Sequence, residues 1–465
     1  MRIIFVFCIF SITVNAQHKT LINTGDPENV VVENDASNPC ISPQEYSMIE
    51  KRCGDNIKAL HINDQASKSA QSVTLLQWPL QSSANLHDCS YYHLSAYVDQ
   101  NTTTGAFQDF NCGTNSYDGH GGTDISTWPY NFLKMDNNLV EVVAASSGII
   151  IDKHDGEFDR NCTSNSLTAN YVIIQHGDGS VALYWHMKKN SITTVAIGQP
   201  VAVGDYLGVV GSSGSSSGPH LHFEVWGGSS AATRVDPYYG SCNLLNGSSW
   251  WAVQKPAKET GLEKVSVNTT DAIVPTCPTT ETPNESSIFQ IPFQGLGLAP
   301  GYAKFYIFIR DEVNGLNADL SILNPNGSTY LSWTYNSTSD NKVRTWAYSK
   351  VLPTIDGTYT FRAIYNGDTC STDFEITHNA VGLEDEYNSQ FKIYPNPSTG
   401  AFILETNSLK NQSIEIYNMM GEKIFESEIT ELRTSIVINN ESGVYFYQLS
   451  DKLRHILRGK LFIKL

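Results

Sequence analysis

The chain has 465 residues, 40% of them hydrophobic and 17% charged, and a formal net charge of −17. This is too long for one ordinary domain, so about three or four units are expected. The acidic balance excludes nucleic acid as a partner, because binding a phosphate backbone needs clustered Lys and Arg, and it reads instead as solubility.

Residues 1–16 read as a secretory signal peptide. Arg2 is the basic start, Ile3 to Val14 is nearly all apolar, and Val14-Asn15-Ala16 ends in a small residue before Gln17. That run is too short to span a bilayer, and no later run is long and apolar enough, so no integral membrane segment is expected. Residues 17–74 are polar and mixed. Ser42-Pro43-Gln44-Glu45 predicts a capped helix reaching Ala59. The segment is a candidate propeptide or packing arm, and nothing in its sequence points to chemistry.

Residues 75–254 carry short β-branched and aromatic runs. They include Val140 to Ile151, Tyr171 to Gln175, Val181 to Trp185, Leu207 to Val210 and Leu221 to Trp226, separated by Gly-rich turns. His176-Gly177-Asp178-Gly179-Ser180 reads as a hairpin turn. No long segment has helical period, so a mostly antiparallel β domain is expected. Residues 255–276 read as a polar linker. Residues 277–380 alternate as a β-sandwich, with Tyr330, Trp333, Tyr335 and Trp346 as core side chains or as a sugar-stacking surface. Residues 381–390 form an acidic linker, and 391–465 a second small sandwich. The fold class is therefore mainly β, a two-sheet antiparallel domain followed by two sandwiches.

Nine cysteines occur, and Cys8 lies in the signal peptide. The remaining even number in an exported chain predicts disulfides. Proximity suggests Cys40–Cys53 and Cys277–Cys370, with Cys89, Cys112, Cys162 and Cys242 pairing inside residues 75–254.

The chemistry concentrates in three motifs of that domain. His220-Leu221-His222 sits in a predicted strand, so alternation puts both imidazoles on one face. His120-Gly121-Gly122-Thr123-Asp124 supplies a His and a carboxylate four apart, in a glycine-rich stretch able to bend both inward. His120, Asp124 and His222 make three N/O ligands, the pattern of a catalytic zinc site with one position left for water. His186 follows Tyr184-Trp185 and, with His220, is left to handle protons or steady an oxyanion. Glu224 continues the same strand face and can orient a ligand imidazole or form a rim ion pair. His154 and His176 lack such context. The run Gly211-Ser212-Ser213-Gly214-Ser215-Ser216-Ser217-Gly218 has no phosphate-loop ending and reads as a flexible connector.

His120-Gly-Gly-Thr-Asp124, Tyr184-Trp-His186-Met and Gly218-Pro-His220-Leu-His222-Phe-Glu224 resemble the signature of the lysostaphin/LytM-type zinc endopeptidases, over about Trp78 to Tyr239. The resemblance implies a two-sheet antiparallel fold with a groove above the larger sheet. It also implies hydrolysis of peptide bonds, usually in stem or cross-bridge peptides of bacterial peptidoglycan. Carried over, His120, Asp124 and His222 match the zinc ligands, one ion per peptidase domain. His186 and His220 match the catalytic histidines, with the base between them left open. Met187 stands where Leu is commoner, and an insertion around Asp155 to Ser166 reshapes a groove-side loop. The last block, with Tyr394-Pro395-Asn396-Pro397, the Gly421 turn and Gly443-Val444-Tyr445, resembles the sorting domain of the type IX secretion system of Bacteroidetes. It implies a partnership with that machinery and a secreted or cell-surface location. The leading expectation is an exported zinc endopeptidase acting on peptidoglycan. The alternatives are an extracellular protease on Gly-rich proteins and a non-catalytic wall-binding regulator.

Overall fold

The β-branched and aromatic runs form antiparallel strands throughout a computed structural model that describes residues 40–62, 74–271, 277–378, 391–406, 412–438, 442–451 and 456–464. The signal peptide and the 381–390 linker lie outside these residues. The chain divides into two units, the first ending at Ile376 and the second beginning at Thr377.

In the first unit a helix, α1 (Pro43–Ala59), begins as its sequence predicts. The Ser42 side chain accepts from Glu45 N while the Glu45 carboxylate accepts from Ser42 N, so two orphan amides of the first turn are satisfied. The strands that follow are β1 (Leu80–Ser82), β2 (Tyr92–Ala96), β3 (Thr123–Thr127), β4 (Val140–Val143), β5 (Gly148–His154), β6 (Tyr171–His176), β7 (Val181–Trp185), β8 (Pro200–Val201), β9 (Tyr206–Val209), β10 (His220–Trp226) and β11 (Arg234–Val235), with a short α2 (Asn131–Asp136) between β3 and β4. The large sheet runs β2-β3-β10-β7-β6-β5-β8, with β11 pairing on β10, and β1-β4-β9 forms a small sheet.

Alternation along the central strands divides the large sheet into two faces. Leu221, Phe223 and Val225 of β10, with Ala182 and Tyr184 of β7 and Val172 and Ile174 of β6, join a core shared with the small sheet. The opposite face carries Trp226, Leu183, Trp185, Tyr171 and Ile173, and it is buried against Ile41, Ile49, Cys53 and Ile57 of the N-terminal segment. His220, His222 and Glu224 lie on this second face by the same alternation. A one-residue slip of β10 would turn all of them into the apolar core.

A sandwich packs onto this domain within the same unit. Its strands are β12 (Gly261–Asn268), β13 (Ile288–Ile291), β14 (Tyr302–Glu312), β15 (Asn317–Leu323), β16 (Thr329–Asn336), β17 (Asn341–Val351), β18 (Gly357–Tyr365) and β19 (Asp368–His378), in sheets β12-β14-β17 and β13-β19-β18-β15-β16. Residues 261–268 were expected in a linker. They form β12 because Leu262, Val265 and Val267 are buried in the sandwich core. Trp333 stacks on Phe361 and Trp346 tilts on Tyr335. Tyr330 meets Tyr359 edge-on, so all four candidate stacking aromatics are engaged in packing, Tyr330 while 39% exposed.

The expected disulfides are corrected. The bonds are Cys89–Cys370, Cys112–Cys242 and Cys162–Cys277, while Cys40 and Cys53 are free and buried. Cys277 and Cys370 do not pair with each other, because the sandwich lies against the domain of the large sheet and each reaches across to it. Trp128 and Tyr130 meet Phe308 edge-on at that contact. Only Cys112–Cys242 is internal to residues 75–254.

The second unit pairs β20 (Phe391–Tyr394), β21 (Ala401–Thr406) and β24 (Arg433–Val437) in one sheet, and β22 (Gln412–Tyr417), β23 (Lys423–Ile429), β25 (Gly443–Asp451) and β26 (Ile456–Ile463) in another. Phe402, Leu404, Ile414, Ile416, Leu449 and Leu461 fill the space between them.

Candidate metal centre

Strands β3 and β10 pair with His222 opposite Asp124, so the register alone brings carboxylate and imidazole together. His120 arrives from the turn ahead of β3. Its Nε2 lies 3.1 Å from His222 Nδ1 and 3.1 Å from Asp124 Oδ1, and Asp124 Oδ1 lies 2.9 Å from His222 Nδ1. All three side chains are buried.

The outer nitrogen of each imidazole fixes its tautomer. His120 Nδ1 is 2.7 Å from the Tyr97 carbonyl, an acceptor only, so Nδ1 carries the proton and Nε2 is bare. His222 Nε2 faces Glu224 Oε2 at 3.2 Å and donates to it, leaving Nδ1 bare. In the neutral rings three acceptor atoms therefore converge at about 3 Å, a spacing that calls for a positive charge among them: a metal ion, or without one a proton, since Asp124, against burial, raises the His120 pKa to about 9. In a tetrahedral zinc site with bonds of about 2.0–2.1 Å, neighbouring ligand atoms stand about 3.3 Å apart. The donor set and its spacing fit such an ion.

Glu224 is itself held on every side. Oε2 accepts from Tyr46 at 2.7 Å, and Oε1 accepts from Trp226 Nε1 at 2.8 Å and Arg234 Nε at 2.9 Å. Burial alone would raise its pKa, but the Arg234 guanidinium and the His222 and Trp226 hydrogen bonds bring it down to about 2. Asp124 is likewise opposed by burial and held well below the usual carboxylate range by the imidazoles of His120 and His220.

His186 and His220 stand beside this triad, their rings 4.6 Å apart. His186 Nδ1 donates to Ser213 O at 2.6 Å, and His220 Nδ1 donates to Gly218 O at 2.8 Å. Both Nε2 atoms are left for the cleft. His220 Nε2 lies 3.7 Å from Asp124 Oδ1, and His186 Nε2 has no hydrogen-bond partner among the described residues. Burial, with the neighbouring His220, pushes the His186 pKa down. His186 adopts a left-handed backbone, φ 67°, a conformation a non-glycine residue holds only when its surroundings impose it.

The serine-rich run is not a loose connector. Ser212, Ser213, Ser215 and Ser216 are buried. Ser213 O anchors His186, Ser216 Oγ lies 2.8 Å from Ser212 Oγ and 3.3 Å from His220 Nδ1, and Ser212 Oγ donates to Asn161 O. His176 donates to Ser147 O, and His154 pairs with Glu157; neither approaches the centre.

Two residues at the centre are absent from the sequence motifs. Cys40 Sγ lies within 4.8 Å of the ligand atoms of His120, Asp124 and His222. Tyr117 stacks on the His120 ring at 4.2 Å, and its hydroxyl lies 2.8 Å from Cys40 Sγ and 3.3 Å from Asp124 Oδ2. Tyr117 stands only three residues before His120 and could have been sought there. Cys40 carries no local signal.

The chain carries an M23 peptidase domain. Residues 120–237 match Peptidase family M23, and residues 392–464 match the Secretion system C-terminal sorting domain. Among curated proteins, an uncharacterized metalloprotease of Buchnera aphidicola is 46% identical over 57 residues, 12% of this chain and 14% of that protein. The peptidoglycan DD-endopeptidase ShyC of Vibrio cholerae is 26% identical over 150 residues, 28% of this chain and 34% of that protein. ShyA of the same organism is 43% identical over 56 residues, 12% of each. The chain thus spans between 12% and 34% of the length of these relatives. The solved catalytic domain of lysostaphin from Staphylococcus simulans is 23% identical, with a TM-score of 0.20, and is matched over 34% of this chain and 96% of that one. The M23 domain makes the chain a candidate peptide hydrolase with a metal site. The sorting domain marks it for type IX export to the cell surface or beyond, and no described helix is long and apolar enough to cross a membrane.

Proposed function

We propose that this protein is a secreted zinc metalloendopeptidase that hydrolyses peptide bonds in the stem or cross-bridge peptides of peptidoglycan. The observation that carries the reading is the convergence of three ligand atoms, on His120, Asp124 and His222, to about 3 Å of one another, with Tyr97 O and Glu224 behind the two imidazoles. The peptidoglycan substrate is supported by ShyC and ShyA, both named as peptidoglycan endopeptidases.

His120, Asp124 and His222 would hold the ion, and Tyr97 O and Glu224 would keep their imidazoles aimed. A zinc ion there supplies Lewis acidity toward the scissile carbonyl and the attacking water. His186 and His220 do the proton work. Each has its Nδ1–H tied to a backbone carbonyl, so each offers a bare Nε2 to the cleft. One can take the proton of the attacking water, and the other, once protonated, can donate to the developing oxyanion or to the leaving amine. The low pKa of His186 keeps it unprotonated at neutral pH, which suits the accepting role.

His222→Ala should lose bound zinc and hydrolysis together, read by metal analysis and by mass spectrometry of new amino termini in defined peptidoglycan fragments. His186→Ala should keep zinc and lose turnover by about a hundredfold or more. Full activity of His222→Ala without zinc would overturn the reading. New amino termini from Gly-rich protein but none from peptidoglycan would move the substrate to the alternative.

A further inference from the structure

The N-terminal segment was read from sequence as chemically silent. In the fold it delivers a thiol to the metal centre. Cys40 Sγ lies within 4.8 Å of the ligand atoms of His120, Asp124 and His222 together, and within 4.8 Å of a ring nitrogen of His186 and of His220. It stands 3.9 Å from Asp124 Oδ2 and 3.9 Å from His220 Nε2. Cys40 is 8% exposed, and no disulfide engages it. In a tetrahedral zinc site with one thiolate, sulfur and its N/O neighbours stand about 3.5 Å apart. The thiol is therefore near enough to take the position that three protein ligands leave to water in a catalytic site. The unpartnered, buried Nε2 of His186 provides a second and independent sign that this space is built for a ligand.

We propose that Cys40 is the fourth ligand of the metal centre and that residues 40–62 are a built-in inhibitor holding the peptidase latent. The proposal rests on the reading of His120, Asp124 and His222 as ligands. A thiolate in the fourth position displaces the water that hydrolysis needs, and the segment also closes the cleft. Ile41, Ile49 and Ile57 share one buried cluster with Tyr171, Trp185 and Trp226. Polar contacts fix the register of α1. Tyr46 donates to Glu224, Arg52 pairs with the buried Asp152 at 2.7 Å, Asn56 donates to Ile151 O at 2.7 Å, and Glu50 accepts from Ser230 Oγ and Ala231 N. With the helix docked, His120, His186 and His222 are at most 1% exposed, so a peptide reaches them only after the segment leaves the sheet. The Tyr46–Glu224–His222 chain couples the docked helix to a ligand imidazole directly.

The test uses the full-length protein loaded with cobalt in place of zinc. A thiolate-to-cobalt charge-transfer band in the near ultraviolet is expected, retained in Cys53→Ala and lost in Cys40→Ala and Cys40→Ser. Iodoacetamide followed by peptide mapping should label Cys40 at least about tenfold more slowly in the metal-loaded protein than after chelation. Arg52→Ala, remote from the metal, should speed that labelling. Cys40→Ala should hydrolyse a peptidoglycan peptide faster than wild type. Bound cobalt with no thiolate band, or a band that survives Cys40→Ala, would overturn this inference and leave the zinc reading intact. A wild-type protein that binds no cobalt or zinc would overturn both.

Discussion

At the scale of single residues, the centre is organised by what lies behind each imidazole. Four histidines face one space, and each gives its outer N–H to Tyr97 O, Ser213 O, Gly218 O or Glu224. A different histidine shows what happens without such a partner. His93 lies in β2, buried and stacked on Trp128. Burial, with Lys342 and Arg310 adding to it, pushes its pKa down to about 3. Below the unfolded value of about 6.5 the unfolded chain binds a proton that the folded chain refuses. Stability therefore falls as the pH is lowered from about 6.5 and stops falling near 3, by about 1.4 kcal/mol per pH unit for this one group. His93→Phe removes the term, so its loss of stability between pH 7.5 and 5 should be smaller than that of wild type by about 2 kcal/mol, read by urea unfolding. Equal losses in the two proteins would refute this account.

At the scale of elements, close approach decides the geometry. The two glycines after His120 were expected to bend the chain. Neither has a positive φ; their use is room. A Cβ on Gly122 would stand 2.7 Å from Phe223 O and 2.8 Å from His222 Cε1, so β3 could not lie against β10 with His222 in place. Gly122→Ala should weaken zinc binding at least about tenfold and cost roughly 1–3 kcal/mol of stability, measured by metal competition and thermal unfolding. Gly121→Ala meets only the ends of long side chains, Tyr46 and Arg234, and the Glu224 carboxylate. Its main effect should be on the docking of α1, seen as faster labelling of Cys40. The strand runs, the hairpin between β6 and β7 and the cap of α1 were legible in sequence because each rests on local signals: period two, Gly-Asp-Gly, and Ser-Pro-Gln-Glu. Strand β12 was not, because it stands alone in sequence and its partner β14 comes some forty residues later.

At the scale of the whole molecule, the peptidase sheet and the sandwich form one unit. Two disulfides cross between them, Cys89–Cys370 and Cys162–Cys277. Arg310 reaches from β14 to Ser90 Oγ, and Lys264 and Lys134 share Asp88. Peptide mapping under non-reducing conditions should recover both cross-links. Cys370→Ala should destabilise the protein by about 2–4 kcal/mol, with a single unfolding transition for peptidase and sandwich. A fragment of residues 277–378 would lack β12 and expose Phe308 and Tyr306, so it should aggregate or fail to fold; a well-dispersed, stable fragment would show the two modules to be independent.

The sequence by itself determined the mainly β class and the sorting domain, and it pointed to the five residues proposed for the reaction. These rest on periodicity and on short motifs whose members are close along the chain. Only the tertiary structure decided the disulfide pairing, the burial of the serine run behind two histidines, and the place of Cys40. Each of these depends on which surfaces meet far along the chain, from 27 residues between His186 and Ser213 to 281 between Cys89 and Cys370, and no local pattern records that. His220 and His222 share a face because strands alternate. What covers that face was set by a helix whose own sequence says only that it is a helix.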